Sequence, residues 1–190
     1  MRSDQELLAV WAGGDRDGGR ELYQRYADRV SRFFTRKTTD ELPDLVQRTF
    51  LKLLETARRG DAIDNPAAFL FAIARNELYD LFGRRSTARE RFDPEHTSLA
   101  DLRTGVSTRL DRQQRERLLH DALGRLPLDS QLALELYYWE DLSMTDVARV
   151  LGTTESAAIN RIHRARKQLR DELGDAVQAL ETRPAPPEPK

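Results

Sequence analysis

LSMTDVARVLGTTESAAINRIHRARKQLRDEL, residues 142–173, decides the fold of the C-terminal half. Ser143 can cap a helix, and Met144, Val147, Ala148 and Leu151 repeat at helical spacing behind it. Gly152 then ends that short helix where a left-handed residue makes a tight turn. The next helix starts near Thr154 and runs without a breaker to Leu173. At about 100° per residue, Ala158, Ile162, Ala165 and Leu169 gather on one side. Ser156, Asn160, His163 and Lys167 fall on the other, flanked by Arg164 and Arg170. The pattern predicts a helix-turn-helix with a polar, basic outer face, the shape that enters a DNA major groove. A solvated basic helix in a bundle is the alternative, and the turn spacing argues against it.

The 190 residues suffice for one medium domain or two small ones. There is no cysteine, and His96, His120 and His163 lack ligand spacing, so neither a metal nor a cofactor is expected. The absence of a long apolar run and of a signal peptide predicts a soluble, cytoplasmic protein. The net charge of −1 is unusual for a nucleic-acid binder, but it is unevenly spread. Residues 153–170 carry five Arg/Lys against one Glu, and 92–152 carry seven against eleven acids. Such a balance predicts weak non-specific DNA affinity for the isolated chain and suits delivery to DNA by a larger partner.

The remaining periodicity is helical, and no segment alternates like a strand. A first helix follows Ser3 and buries Leu7, Leu8 and Trp11. Gly13-Gly14 and Gly18-Gly19 are expected to flank a break before a helix with Leu22, Tyr26, Val30, Phe33 and Phe34. The GGDRDGG run lacks the GxxxxGK pattern of a phosphate cradle and reads as an inter-helix turn. A third helix, with Pro43 in its first turn, carries Leu45, Phe50, Leu53 and Leu54. Asn65 and Pro66 open a fourth, with Phe69, Ala72, Ile73 and Asn76 near one face. The expected fold is all-α: a four-helix domain over 1–85, a linker over 86–111, a helix-turn-helix domain over 112–175, and a disordered Pro-rich tail over 176–190.

Four blocks in order resemble the extracytoplasmic-function class of bacterial sigma factors, a branch of the sigma-70 family. They are GRELYQRYADRVSRFF, DLVQRTFLKLLE (44–55), NPAAFLFAIARNELYDLFGRR (65–85), and LGRLPLDSQLALELYYWEDLSMTDVARVLG followed by AAINRIHRAR. The spacing leaves no room for a region 3 domain. The resemblance implies a subunit that binds core RNA polymerase, recognises the −35 and −10 elements of promoter DNA and melts the −10 region. It implies no catalysis of its own, a monomeric free state and, often in this class, regulation by an anti-sigma factor. For polymerase it points to Glu41, Asp44, Gln47, Arg48 and Phe50, with Phe50 either the apolar centre of that contact or a core residue. For the −10 element it points to Arg59, Asp61, Arg75, Asn76, Tyr79, Arg84 and Arg85, with Asn76 either a base contact or a packing amide. For the −35 element it points to Ser156, Ile159, Asn160, Arg161, His163, Arg164 and Lys167. Of these, Arg161 lies about 60° from the buried centre, within reach of a phosphate or of a neighbouring helix.

Two positions depart from the family pattern. Pro43 replaces a common acidic residue, leaving the charge to Glu41 and Asp44. Thr35, Thr38 and Thr39 beside it would let phosphorylation restore that charge. Ile159 stands where a basic or polar residue is usual, and there it either meets a thymine methyl or weakens −35 binding. Two other readings remain: a stand-alone helix-turn-helix regulator, which gives residues 1–85 no role, and a non-initiating decoy for polymerase or an anti-sigma factor. An enzyme is not expected, since His120-Asp121 has no nucleophile at motif spacing.

Overall fold

Local chemistry sets the helix starts. Ser3 opens α1 (Asp4–Ala12) with a reciprocal pair of hydrogen bonds to Glu6. Asp15 caps α2 (Arg16–Thr35) by accepting from the N–H groups of Asp17 and Gly18. Pro43 occupies the first turn of α3 (Leu42–Arg58), where its missing N–H costs no hydrogen bond. Asn65 accepts from the N–H of Ala68 at 3.1 Å and starts α4 (Pro66–Arg85). The computed structural model that gives these elements describes residues 2–85, 92–102 and 114–173.

The chain divides into two compact units, Met1–Arg85 and Ser86–Lys190. In the first, α1, α2 and α3 all pack on α4. Phe33, Phe34, Phe71, Leu45 and Leu53 are buried at its centre. Two expectations need correction. Gly18 and Gly19 lie inside α2 rather than beside a break. A Cβ on Gly18 would fall 2.4 Å from Val10, and one on Gly19 2.4 Å from Trp11, so the pair lets α1 and α2 cross closely. The buried side of α4 is also broader than Phe69, Ala72, Ile73 and Asn76 suggest. Leu70, Phe71, Ala74 and Leu78 are buried, Phe69 and Ala72 half-buried, and Asn76 exposed. Contact with three neighbouring helices leaves α4 little polar face to show.

The second unit contains α5 (Leu99–Leu102), α6 (Gln114–Arg125), α7 (Leu128–Tyr138), α8 (Met144–Leu151) and α9 (Glu155–Leu173). Residues 92–102, expected to be linker, are docked on this unit. The N–H of Leu128 donates to Thr97 O at 2.9 Å, that of Asp129 donates to Pro94 O at 3.0 Å, and Leu99 is buried. An isolated antiparallel bridge joins Ser98 to Pro127. The expected tail, 176–190, lies outside the described residues.

The turn between α8 and α9 is built as its residues require. Ser143 accepts from the N–H of Asp146 at 3.1 Å, and Gly152 takes φ 66°, a left-handed value. Ala158, Ile162, Ala165 and Leu169 are buried beneath α9. Among the described residues no helix is long and apolar enough to cross a membrane. Gly152→Ala, which places a Cβ in that left-handed turn, should lower the stability of the protein by about 1 kcal/mol in urea denaturation.

Candidate DNA- and partner-binding surfaces

The outer face of α9 carries Ser156, Arg164 and Lys167 exposed and Asn160 and His163 half-buried. Two flanking residues named for the −35 element, Ile159 and Arg161, are turned away from that face. Ile159 is 7% exposed and extends the apolar stripe, so its side chain is not presented to a thymine methyl. Arg161 is turned inward: its guanidinium donates to Asp129 and, at 2.7 Å, to Glu95. Burial works to lower its pKa, and the two carboxylates outweigh burial and raise it. The reach to a neighbouring element is the one realised.

On α4, Asn76 is exposed and accepts from Arg75 at 2.9 Å. Arg75 also lies over the ring of Tyr79, 5.3 Å from its centroid. The three side chains form one planar-faced cluster of hydrogen-bonding and π groups. Before the helix, Arg59 and Asp61 are both exposed and pair with each other at 3.3 Å. At its end, Arg84 and Arg85 are exposed and pair with Glu41 at 3.7 Å and Asp40 at 2.8 Å.

Those acids belong to the turn before α3. Glu41 has φ 53°, and its side chain makes no cap hydrogen bond. Asp44 and Gln47 are exposed, as expected. Phe50 is 5% exposed and lies against Tyr23 with ring centroids 4.8 Å apart. It therefore forms both core and floor, since it lines a groove of about 540 Å³ between α2 and α3. Trp11, Tyr23, Pro43, Val46, Gln47 and Leu51 also line this groove, and Tyr23 and Leu51 are each 47% exposed. The sequence reading passed over Tyr23 and Leu51, although two large apolar residues on the outer side of amphipathic helices were a signal. Of the three threonines considered for phosphorylation, Thr38 is buried and Thr35 donates to Ser31 O, leaving Thr39 exposed.

Arg48 is only partly available to a partner. It donates to Glu77 at 2.7 Å, and Lys52 meets the other oxygen of that carboxylate. Glu77 is 3% exposed; burial works to raise its pKa, and the cations of Lys52 and Arg48 outweigh burial and lower it. Because the folded value lies below the ordinary 4.5, this contribution to stability is complete above pH 4.5 and is lost as pH falls below it. Urea denaturation across a pH series should show Glu77→Gln flattening that acid-side loss. At neutral pH the variant should be less stable by about 1–2 kcal/mol, short of the cost at a fully buried pair because both cations are partly exposed.

Comparison with known proteins covers both units. The Sigma-70 region 2 model matches residues 22–89, and the Sigma-70, region 4 model matches residues 116–169. The chain is 31% identical over 178 residues to the ECF RNA polymerase sigma factor SigM of Mycobacterium tuberculosis, covering 91% of this chain and 86% of that protein. It is 27% identical over 181 residues to the ECF RNA polymerase sigma-E factor of Haemophilus influenzae, covering 90% and 95%. Among solved structures, CnrH in complex with the cytosolic domain of CnrY aligns with a TM-score of 0.64 at 26% identity, covering 88% of this chain and 95% of that one. The sigma factor RpoE in complex with the anti-sigma factor NepR from Bartonella quintana shares the fold, with a TM-score of 0.61 at 21% identity.

Proposed function

Because the chain belongs to the ECF RNA polymerase sigma factors, we propose that its two units divide promoter recognition between the surfaces described above. The observation that carries this reading is the combination, in one chain, of a helix-turn-helix unit with a helical unit bearing an apolar groove. A stand-alone regulator would leave that groove without a role.

In this reading α9 enters the major groove at the −35 element. Asn160 and His163 face base edges, while Ser156, Arg164 and Lys167 hold sugar or phosphate. At the −10 element, Arg75, Asn76 and Tyr79 offer stacking faces and hydrogen bonds to unstacked bases. Arg59, Arg84 and Arg85 supply charge along the backbone, and Asp61 orients Arg59 through their ion pair. The groove between α2 and α3 receives an apolar segment of core polymerase, with Glu41, Asp44 and Gln47 at its polar rim. Arg48 acts from behind this rim, holding Glu41 and Glu77. The chain works in the cytoplasm, is monomeric when free, and leaves phosphodiester chemistry to the polymerase. An anti-sigma factor that covers the groove or the basic helix end would hold it inactive.

Adding the purified chain to core polymerase on fragmented genomic DNA, and sequencing transcript 5′ ends, tests the reading directly. Discrete new starts that share two spaced motifs are expected; no new starts despite verified core binding would favour the decoy. With that promoter in hand, Asn160→Ala/Arg164→Ala should reduce −35-dependent initiation at least about tenfold while core binding stays intact. Normal initiation by this variant would refute the recognition face. Leu51→Asp, at an exposed groove position, should weaken association with core polymerase at least about tenfold without changing the melting temperature.

A further inference from the structure

Arg161 is the cation that α9 withholds from its outer face. The side chain is 12% exposed and meets two carboxylates of unequal burial: Asp129, 9% exposed, and Glu95, 59% exposed. Asp129 belongs to the first turn of α7, and Glu95 to the segment that leads into this unit. That segment is held in turn by backbone bonds from Leu128 and Asp129 to Thr97 and Pro94. Three stretches, separated in sequence by 66 and 32 residues, thus converge on one guanidinium.

The buried residues of α9 are apolar, two of them, Ala158 and Ala165, are small, and hydrogen bonds from Thr145 to Glu155 and from Arg125 to Glu172 tie only its two ends. Apolar contact is non-directional: it sets how deeply a helix sits more firmly than how far it is turned about its axis. A guanidinium engaged on both branches has direction. That direction matters for a reading helix. Turning α9 by about 20° would move a side chain on its surface by about 2 Å, more than a hydrogen bond tolerates.

We propose that Arg161 is a positioning residue for sequence reading: held by Asp129 and Glu95, it fixes the rotation of α9 so that Asn160 and His163 meet base edges in register. The inference rests on the reading of α9 as the helix that enters the major groove. Asp129 is its inner anchor and Glu95 its outer one, which makes the chain leading into the unit part of the reader's frame.

The test uses holoenzyme assembled from the full chain, on the promoter found by reconstitution and on the same promoter with its −35 element scrambled. Asp129→Leu/Arg161→Met replaces the buried pair with apolar side chains, a change that often preserves stability. The expected result is an unchanged melting temperature, unchanged binding to the scrambled promoter, and discrimination between the promoters reduced about five- to hundredfold, the range set by base contacts. Arg161→Lys keeps the charge, lacks the fork, and should lose discrimination as well; it also serves if the double variant does not fold. Glu95→Gln should lose less. Full discrimination in the stable double variant, or in folded Arg161→Lys, would show a merely structural pair. Equal losses on both promoters would make Arg161 a phosphate contact. Either result overturns the proposal and leaves α9 as the reader, whereas a wild-type holoenzyme that does not discriminate overturns that underlying reading too.

Discussion

A carboxylate taken out of water must be matched by hydrogen bonds or a cation, and in both units a cation does this for a carboxylate beside a proposed binding surface. Glu77 in α4 is answered by Arg48 and Lys52 of α3. Asp129 in α7 is answered by Arg161 of α9. In each case the cation comes from a helix with a proposed binding surface, so the helix gives up part of its outward charge to hold its place. Removing either carboxylate would take away the buried end of the contact that aims its cation, leaving only the exposed partners Glu41 and Glu95, so the pair and the presentation of the surface stand together. The dispersion and apolar terms bind the units; these pairs supply the direction that apolar contact lacks.

The same constraint explains which residues the sequence could and could not place. Ser3, Asn65, Ser143 and Gly152 act on neighbours within a few residues, and each was legible as a helix end. The outward positions Arg164 and Lys167 follow from helical periodicity with a polar residue at an uncontested angle, whereas Asn76, grouped by spacing with Phe69, Ala72 and Ile73, is exposed. Arg161 and Arg48 sit at the flank, where periodicity alone allows either solvent or a neighbouring helix. Only the partner, 32 residues away for Arg161 and 29 for Arg48, decides between them. Ile159 shows the same ambiguity from the apolar side. Gly18 and Gly19 were misread for a related reason: local rules treat glycine as a breaker, whereas its use here is a close crossing with α1. Residues 92–102 carry Pro94 and few periodic apolar residues, and their docking depends on backbone bonds to the start of α7.

The groove between α2 and α3 adds a second kind of surface. Tyr23 and Leu51 remain half-exposed although the core is otherwise closed, and Phe50 and Trp11 lie beside them. Exposing such residues costs free energy in the isolated chain, which a partner with an apolar anchor recovers. Pro43 belongs to this wall. Where the resemblance implies an acid, Pro43 supplies an apolar groove contact and a fixed helix start. The acidic rim persists through Glu41 and Asp44, so the surface keeps its sign while gaining area.

Charge then links the polar rim of the groove to the basic C-terminal end of α4. Arg84 and Arg85 pair with Glu41 and Asp40, which bring the proposed polymerase contact and the proposed backbone contact into one exposed network. Exposed pairs of this kind are individually weak, about 0–1 kcal/mol, and yield readily to a better partner. In the proposed function, a basic segment of the polymerase would take up the acids of these pairs and a phosphate of the promoter their arginines. Each association would then release what the other binds, so the two would favour one another through shared electrostatics without a change of fold. That coupling fits a chain of net charge −1, in which positive charge is plentiful but largely answered from within. On that reading, affinity for DNA would depend less on the total number of arginines than on which carboxylates are occupied elsewhere when the promoter arrives.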